Sequence, residues 1–161
     1  MDQVTGSMMS TNPVWPMPGL RETLDLLRGK GLLLGIVSNA QFYTPLLFRA
    51  LLGATPAELG FRPELSVWSY QSQEAKPSTR LFRKVFERLA SGYDIEPEAV
   101  LYVGNDCLKD MWPVQRLGGR TALFAGDRRS LRLREDDERC RDVRPDLVIT
   151  DLRQLGPVLI D

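Results

Sequence analysis

Three short polar clusters in this chain have residue types suited to phosphate and cation chemistry. Ser38 and Asn39 follow the apolar run LLLGIV, Lys76 stands shortly after LSVWSY, and Asn105, Asp106 and Asp110 follow LYVG. A hydroxyl beside amides that lead into a helix suits a phosphate oxygen. An ammonium is a point charge for a phosphoryl group. Hard oxygen donors suit Mg2+, which takes one or two carboxylates together with water and substrate phosphate. Each cluster also has an ordinary structural reading: a strand-to-helix cap, a solvated lysine, and an acidic helix start favoured by the helix dipole. Their value lies in occurring together, each at the end of an apolar run.

Other chemistries are excluded by counting. The chain has no histidine, which removes Ser-His-Asp and Cys-His catalysis and His-ligated zinc. Cys107 and Cys140 are isolated and form no CxxC pair, so free thiols in a cytoplasmic chain are expected. Lys+Arg and Asp+Glu balance at 21 each, giving no field that would draw nucleic acid or an anionic membrane. No apolar run reaches the roughly 18–20 residues of a membrane span, and MDQVTGSMMSTN lacks a signal pattern. The stretch 126–144 holds seven Arg interleaved with Glu135, Asp136, Asp137, Glu138 and Asp142, without aromatics. It reads as a solvated loop or an interface segment rather than a nucleic-acid surface.

The clusters must be held by the elements between them. Residues 1–18 contain three prolines and read as an irregular lead-in, with Gly6-Ser7-Met8 a candidate tag remnant. Residues 19–161 read as one α/β core, within the size of a single domain. Leu20, Leu24 and Leu27 mark one helix face, punctuated by Gly29 and Gly31. Residues 32–38 form a buried strand, 43–53 a helix entered through Pro45, and 65–70 a second strand. Ser78 caps a helix to about 91; strands follow at 99–104, 120–125 and 146–151, with short helices at 110–118 and 152–156. Strands alternating with helices argue a doubly wound, mostly parallel sheet. Ligands of such sheets bind outside the carboxyl ends of the strands, where all three clusters fall.

GIVSNA, AKPSTRLF and VGNDCLKD resemble the second, third and fourth motifs of the haloacid dehalogenase-like (HAD) hydrolase superfamily. PGLRETLDLLRGKG resembles the approach helix of members with a helical cap, and the resemblance spans about residues 16–126, with 146–152 fitting a later strand. It implies a Rossmann-like core and Mg2+-dependent hydrolysis of a small phosphorylated molecule, a phosphatase ahead of a dehalogenase. By the resemblance, Ser38 binds the transferring phosphoryl oxygen with Asn39 beside it. Lys76 is the catalytic lysine that steadies the nucleophile and the phosphoryl charge. Mg2+ falls to Asp106 and Asp110, with Asn105 in the place where many members carry the first Asp. That Asn leaves open which of Asn105 and Asp106 faces the metal.

The resemblance also implies a first motif, DxDGT-like, on a strand between those of the second and fourth motifs. Its first Asp is the nucleophile and its second the general acid/base. No apolar run ending in DxD precedes GIVSNA; Asp2 follows no strand, and Asp25 lies inside a helix pattern. The expectation is a core lacking its first central strand and its cap, with ladder hydrogen bonds missing on both neighbours. Three readings follow: a truncated piece of a larger hydrolase, half of a split enzyme completed by a partner chain or homo-oligomer, or a non-catalytic metal- or phosphate-binding module. A receiver-like domain would place its acids before its lysine, and a dinucleotide site would need GxGxxG, which GIVSNAQ is not.

Overall fold

The computed structural model describes residues 14–160; Gly6-Ser7-Met8 and residues 1–13 of the expected lead-in lie outside the described residues. Helix α1 (Leu20–Gly29) turns Thr23, Leu24 and Leu27 inward. Strand β1 (Leu34–Ser38) starts two residues inside the expected run. Helix α2 (Thr44–Leu52) has Pro45 in its first turn and closes on Gly53 at φ 66°, a left-handed conformation that suits glycine.

Strand β2 (Phe61–Trp68) begins earlier than expected and stops before Ser69, which opens a single helical turn, Ser69–Ser72. The Ser69 hydroxyl accepts from the Ala40 amide and donates to the Ala40 carbonyl. That side-chain pairing pulls Ser69 out of the ladder, a competition the alternation of LSVWSY does not reveal. Helix α3 (Arg80–Tyr93) buries Leu81, Phe82, Val85, Phe86 and Leu89 along one stripe. It begins at Arg80, and the Ser78 hydroxyl accepts from the Arg80 amide at 3.3 Å.

Strand β3 (Leu101–Gly104) leads into a wide π-type turn, Cys107–Met111, and then α4 (Trp112–Gln115). The chain closes with β4 (Arg120–Phe124), β5 (Leu147–Ile149) and α5 (Leu155–Ile160). None of the described helices is long and apolar enough to cross a membrane.

All strand pairs are parallel, as the alternating pattern predicts, but the sheet is in two parts. β1 pairs with β2, and β3–β4–β5 form a second unit; among the described residues no ladder joins β1 to β3. The break lies between the strands of the second and fourth motifs. In β4, Thr121 to Phe124 are all buried, whereas all four residues of β3 are half-buried and only Val37 of β1 is buried.

One side chain spans the break. The Tyr102 hydroxyl on β3 donates to the Val37 carbonyl on β1 at 2.8 Å. A residue's N–H and C=O point to the same strand edge, so Val37 turns its backbone polar groups toward β3 rather than β2. The Tyr102 ring also meets Phe82 edge-on at 4.9 Å, tying β3 to the core under β1 and β2.

Candidate functional site

Asp110 organises the strand ends. Gly104 closes β3, and a Cβ there would sit 2.5 Å from the Asp110 side chain, so glycine lets that carboxylate fold under the strand end. Asp110 Oδ2 accepts from the amides of Asn105 and Asp106, both at 3.0 Å. Its Oδ1 meets Lys76 Nζ at 2.5 Å, with the two side chains only 4% and 11% exposed.

Lys76 is aimed by Asn39. Asn39 Oδ1 accepts from the Lys76 amide at 2.7 Å, and its Nδ2 donates to the Lys76 carbonyl at 3.1 Å. The side chain expected beside the phosphate is therefore spent on positioning the lysine. Lys76 Nζ also donates to the Tyr102 hydroxyl at 3.1 Å. That hydroxyl has one proton, which goes to Val37; Asp110 at 3.5 Å lies at the limit of reach. Burial, then the neighbouring Asp110 charge, hold the Tyr102 phenol well above its ordinary value, so it stays protonated as a donor.

Asp106 points another way. Its Oδ1 caps the amides of Leu108 and Lys109 at 3.0 and 3.1 Å, and Arg134 Nη2 reaches its Oδ2 at 2.7 Å. Burial alone would push this carboxyl up. The Arg134 hydrogen bond and the Lys109 and Leu108 amides outweigh it and hold the group below the usual carboxylate range.

Arg134 belongs to the charged stretch expected to be a solvated loop or interface; Arg132 and Leu133 are exposed, while Arg134 is half-buried against Asp106. The Arg132 amide donates to the Asn105 carbonyl at 2.8 Å, and the Cys107 amide donates to the Arg132 carbonyl at 2.9 Å. This bridge lays the loop alongside the fourth motif. Leu131 anchors it on the buried cluster of Cys107, Met111, Leu123 and Cys140, in which both thiols are free. The signal was present in the alternation SLRLR: an extended segment puts Ser130, Arg132 and Arg134 on one side and Leu131 on the other. Arg134 itself sits at φ 58°, a strained conformation for a non-glycine residue, which here accompanies its grip on Asp106.

The six expected site residues, Ser38, Asn39, Lys76, Asn105, Asp106 and Asp110, all line one open cavity of roughly 330 Å3, joined by Lys109, Ser130, Arg132 and Arg134. Lys109, Ser130, Arg132 and Arg134 are not among the expected residues, nor is Tyr102, which bonds to Lys76 beside the cavity.

The donors do not suit Mg2+, which requires an octahedral oxygen shell at about 2.0–2.1 Å. Both oxygens of Asp110 and both of Asp106 already accept from amides, Lys76 or Arg134. Asn105 donates through Nδ2 to the Ser130 carbonyl at 2.8 Å, leaving its Oδ1 as a lone neutral donor. Among the described residues no group of three acidic, Cys or His side chains could hold a metal. The carboxylates of Asp106 and Asp110, implied to hold the ion together with Asn105, are instead paired with Arg134 and Lys76 in this structure.

No protein-family model matches the chain, and no curated protein matches it. Solved structures do. A HAD phosphatase from Thermococcus onnurineus superposes with a TM-score of 0.67 at 23% identity, covering 99% of this chain and 66% of its own. The putative HAD-hydrolase YfnB from Bacillus subtilis, bound to magnesium, gives 0.67 at 22%, covering 89% of this chain and 54% of its own. CbbY from Rhodobacter sphaeroides, in complex with xylulose-(1,5)bisphosphate, gives 0.68 at 18%, covering 93% and 60%. The chain thus has the α/β fold of HAD-like hydrolases and spans about half to two thirds of the length of these structures.

Proposed function

We propose that this chain is the phosphate-handling part of a HAD-like phosphohydrolase whose nucleophile arrives on a strand laid between β1 and β3. The observation that carries this reading is the divided sheet. Among the described residues β1 and β3 do not pair, their carboxyl ends carry Ser38, Asn105 and Asp110, and the Tyr102 hydroxyl bonds across the break. An extended segment entering there would gain main-chain hydrogen bonds from the exposed edges, as in strand addition elsewhere. Its last residues would emerge at the cavity, within reach of Lys76.

The resemblance implies a DxD ending for that strand. Its first carboxylate attacks the phosphorus of a small phosphorylated substrate, and the ester oxygen leaves with a proton from the second acid. Water then cleaves the acyl phosphate, releasing phosphate and restoring the carboxylate. The strand comes from a partner of different sequence, because this sequence holds no apolar run ending in DxD for a second copy to donate. A phosphatase is favoured over a dehalogenase because the cavity carries more cationic than acidic side chains. Without the strand the chain binds phosphate and does not turn esters over.

The test is aryl-phosphate hydrolysis by the chain alone, with and without Mg2+, and again with a synthetic apolar strand peptide ending in DxD. No turnover alone and turnover with the peptide, lost when its first Asp is Asn, is the expected result. Turnover by the chain alone that persists in Asp25→Asn, or a peptide that binds without activating, overturns the proposal.

A further inference from the structure

Two of the cavity's charges have no counterpart. The wall carries four cations, Lys76, Lys109, Arg132 and Arg134, and two carboxylates, Asp106 and Asp110. Lys76 is committed to Asp110 and Arg134 to Asp106. Lys109 and Arg132 have no carboxylate within salt-bridge distance among the described residues, so the cavity holds about two uncompensated positive charges.

Arg132 is already ordered for a ligand. Its Nη1 donates to the carbonyls of Arg129 and Leu131, both at 2.8 Å, which pins the guanidinium plane. Three further N–H donors, on Nε and Nη2, remain. Lys109 lies on the turn capped by Asp106 and lines the same cavity, with three ammonium donors. A phosphoryl group carries roughly −1.5 to −2 charge at neutral pH, close to what the cavity lacks. The Arg132 guanidinium, held by backbone carbonyls, loses little conformational freedom on binding, which favours affinity.

We propose that Lys109 and Arg132, lining the cavity beside the two paired carboxylates, form an anion site that holds a phosphoryl dianion without a divalent cation. The site rests on the reading of this cavity as the place of the phosphorylated substrate, and it assigns the binding charge to residues outside the motif positions. The fixed ions Lys76 and Arg134 keep the two carboxylates from repelling the dianion. Lys109 and Arg132 supply the attraction that a metal ion would otherwise supply.

Inorganic phosphate titrated into the full chain, followed by calorimetry and by amide NMR shifts, tests this. In excess EDTA and in excess Mg2+ the affinities agree within about twofold. Lys109→Gln and Arg132→Gln each weaken binding about tenfold, the size expected for one charge-assisted contact. Arg132→Lys retains most of it, and unchanged amide spectra away from the cavity certify the fold. Phosphate binding seen only with Mg2+, or a Lys109→Gln/Arg132→Gln double variant that binds like the parent chain, overturns the proposal. A chain that is activated by the strand peptide yet needs Mg2+ for phosphate sinks this inference alone. A chain that binds phosphate in EDTA but is not activated by the peptide sinks the hydrolase reading alone.

Discussion

The two halves of the sheet use the same kind of residue with different results. β4, TALF after Arg120, has a strand on each side and is buried from Thr121 to Phe124. β3, LYVG, is equally apolar, yet among the described residues it has a neighbour only on the β4 side and every residue stays half-buried. β1 likewise has β2 on one side and buries Val37 alone. Burial of a strand therefore depends less on its own hydrophobicity than on whether both edges are filled.

The comparison can be broken most directly in the core. Leu123→Ala in β4 should cost about 3 kcal/mol, because a nearly fully buried leucine leaves a cavity, whereas Leu101→Ala in β3 should cost about 1 kcal/mol. Equal losses in urea unfolding would show that β3 is as enclosed as β4.

A similar loss, about 3 kcal/mol, is expected from Asp110→Asn, which strands the Lys76 charge in a nearly dry site. Thermal unfolding of the single and double variants with Lys76→Met measures it; the double variant should recover part of the loss.

Tyr102→Phe is smaller, about 1 kcal/mol, since it removes one hydrogen bond and leaves Val37 C=O without its cross-break donor. Amide exchange should rise in β1 and β3 and stay unchanged in β4. A uniform rise across the molecule would mean that the break is not locally held.

The smallest effect is electrostatic. Asp106 titrates lower in the fold than in the unfolded chain, so its contribution is present above the ordinary carboxylate value of roughly 4 and is lost as pH falls through the lowered value. Arg134→Gln should flatten that acid limb of the stability–pH curve, and an unchanged limb would show that the Arg134 pair contributes nothing.

Much of this was legible in the chain. The apolar runs, Pro45 at a helix start and Gly53 at a helix end follow from local backbone rules, and they place Ser38, Lys76 and Asp110 at strand ends. The strand-end clusters also converge as expected on one cavity. The early end of β2 traces to a side chain bonding to backbone remote in sequence, Ser69 reaching Ala40. The charged stretch does not reveal its one pairing with the site, because interleaved Arg and acidic residues look alike whether solvated or paired; Leu131 and the bridge to Asn105 bring Arg134 against Asp106.

The sequence by itself determined the order of elements, the parallel α/β class and which residue types could meet at the strand ends, since periodicity and turn chemistry act over a few residues. Tertiary structure alone decided the fate of each charge. It paired Asp110 with Lys76 across 34 positions and Asp106 with Arg134 across 28. It left Lys109 and Arg132 without such partners among the described residues and divided the sheet at Tyr102. Ion pairing and edge filling depend on distance in space between segments remote in sequence, and a polarity pattern carries no measure of that distance.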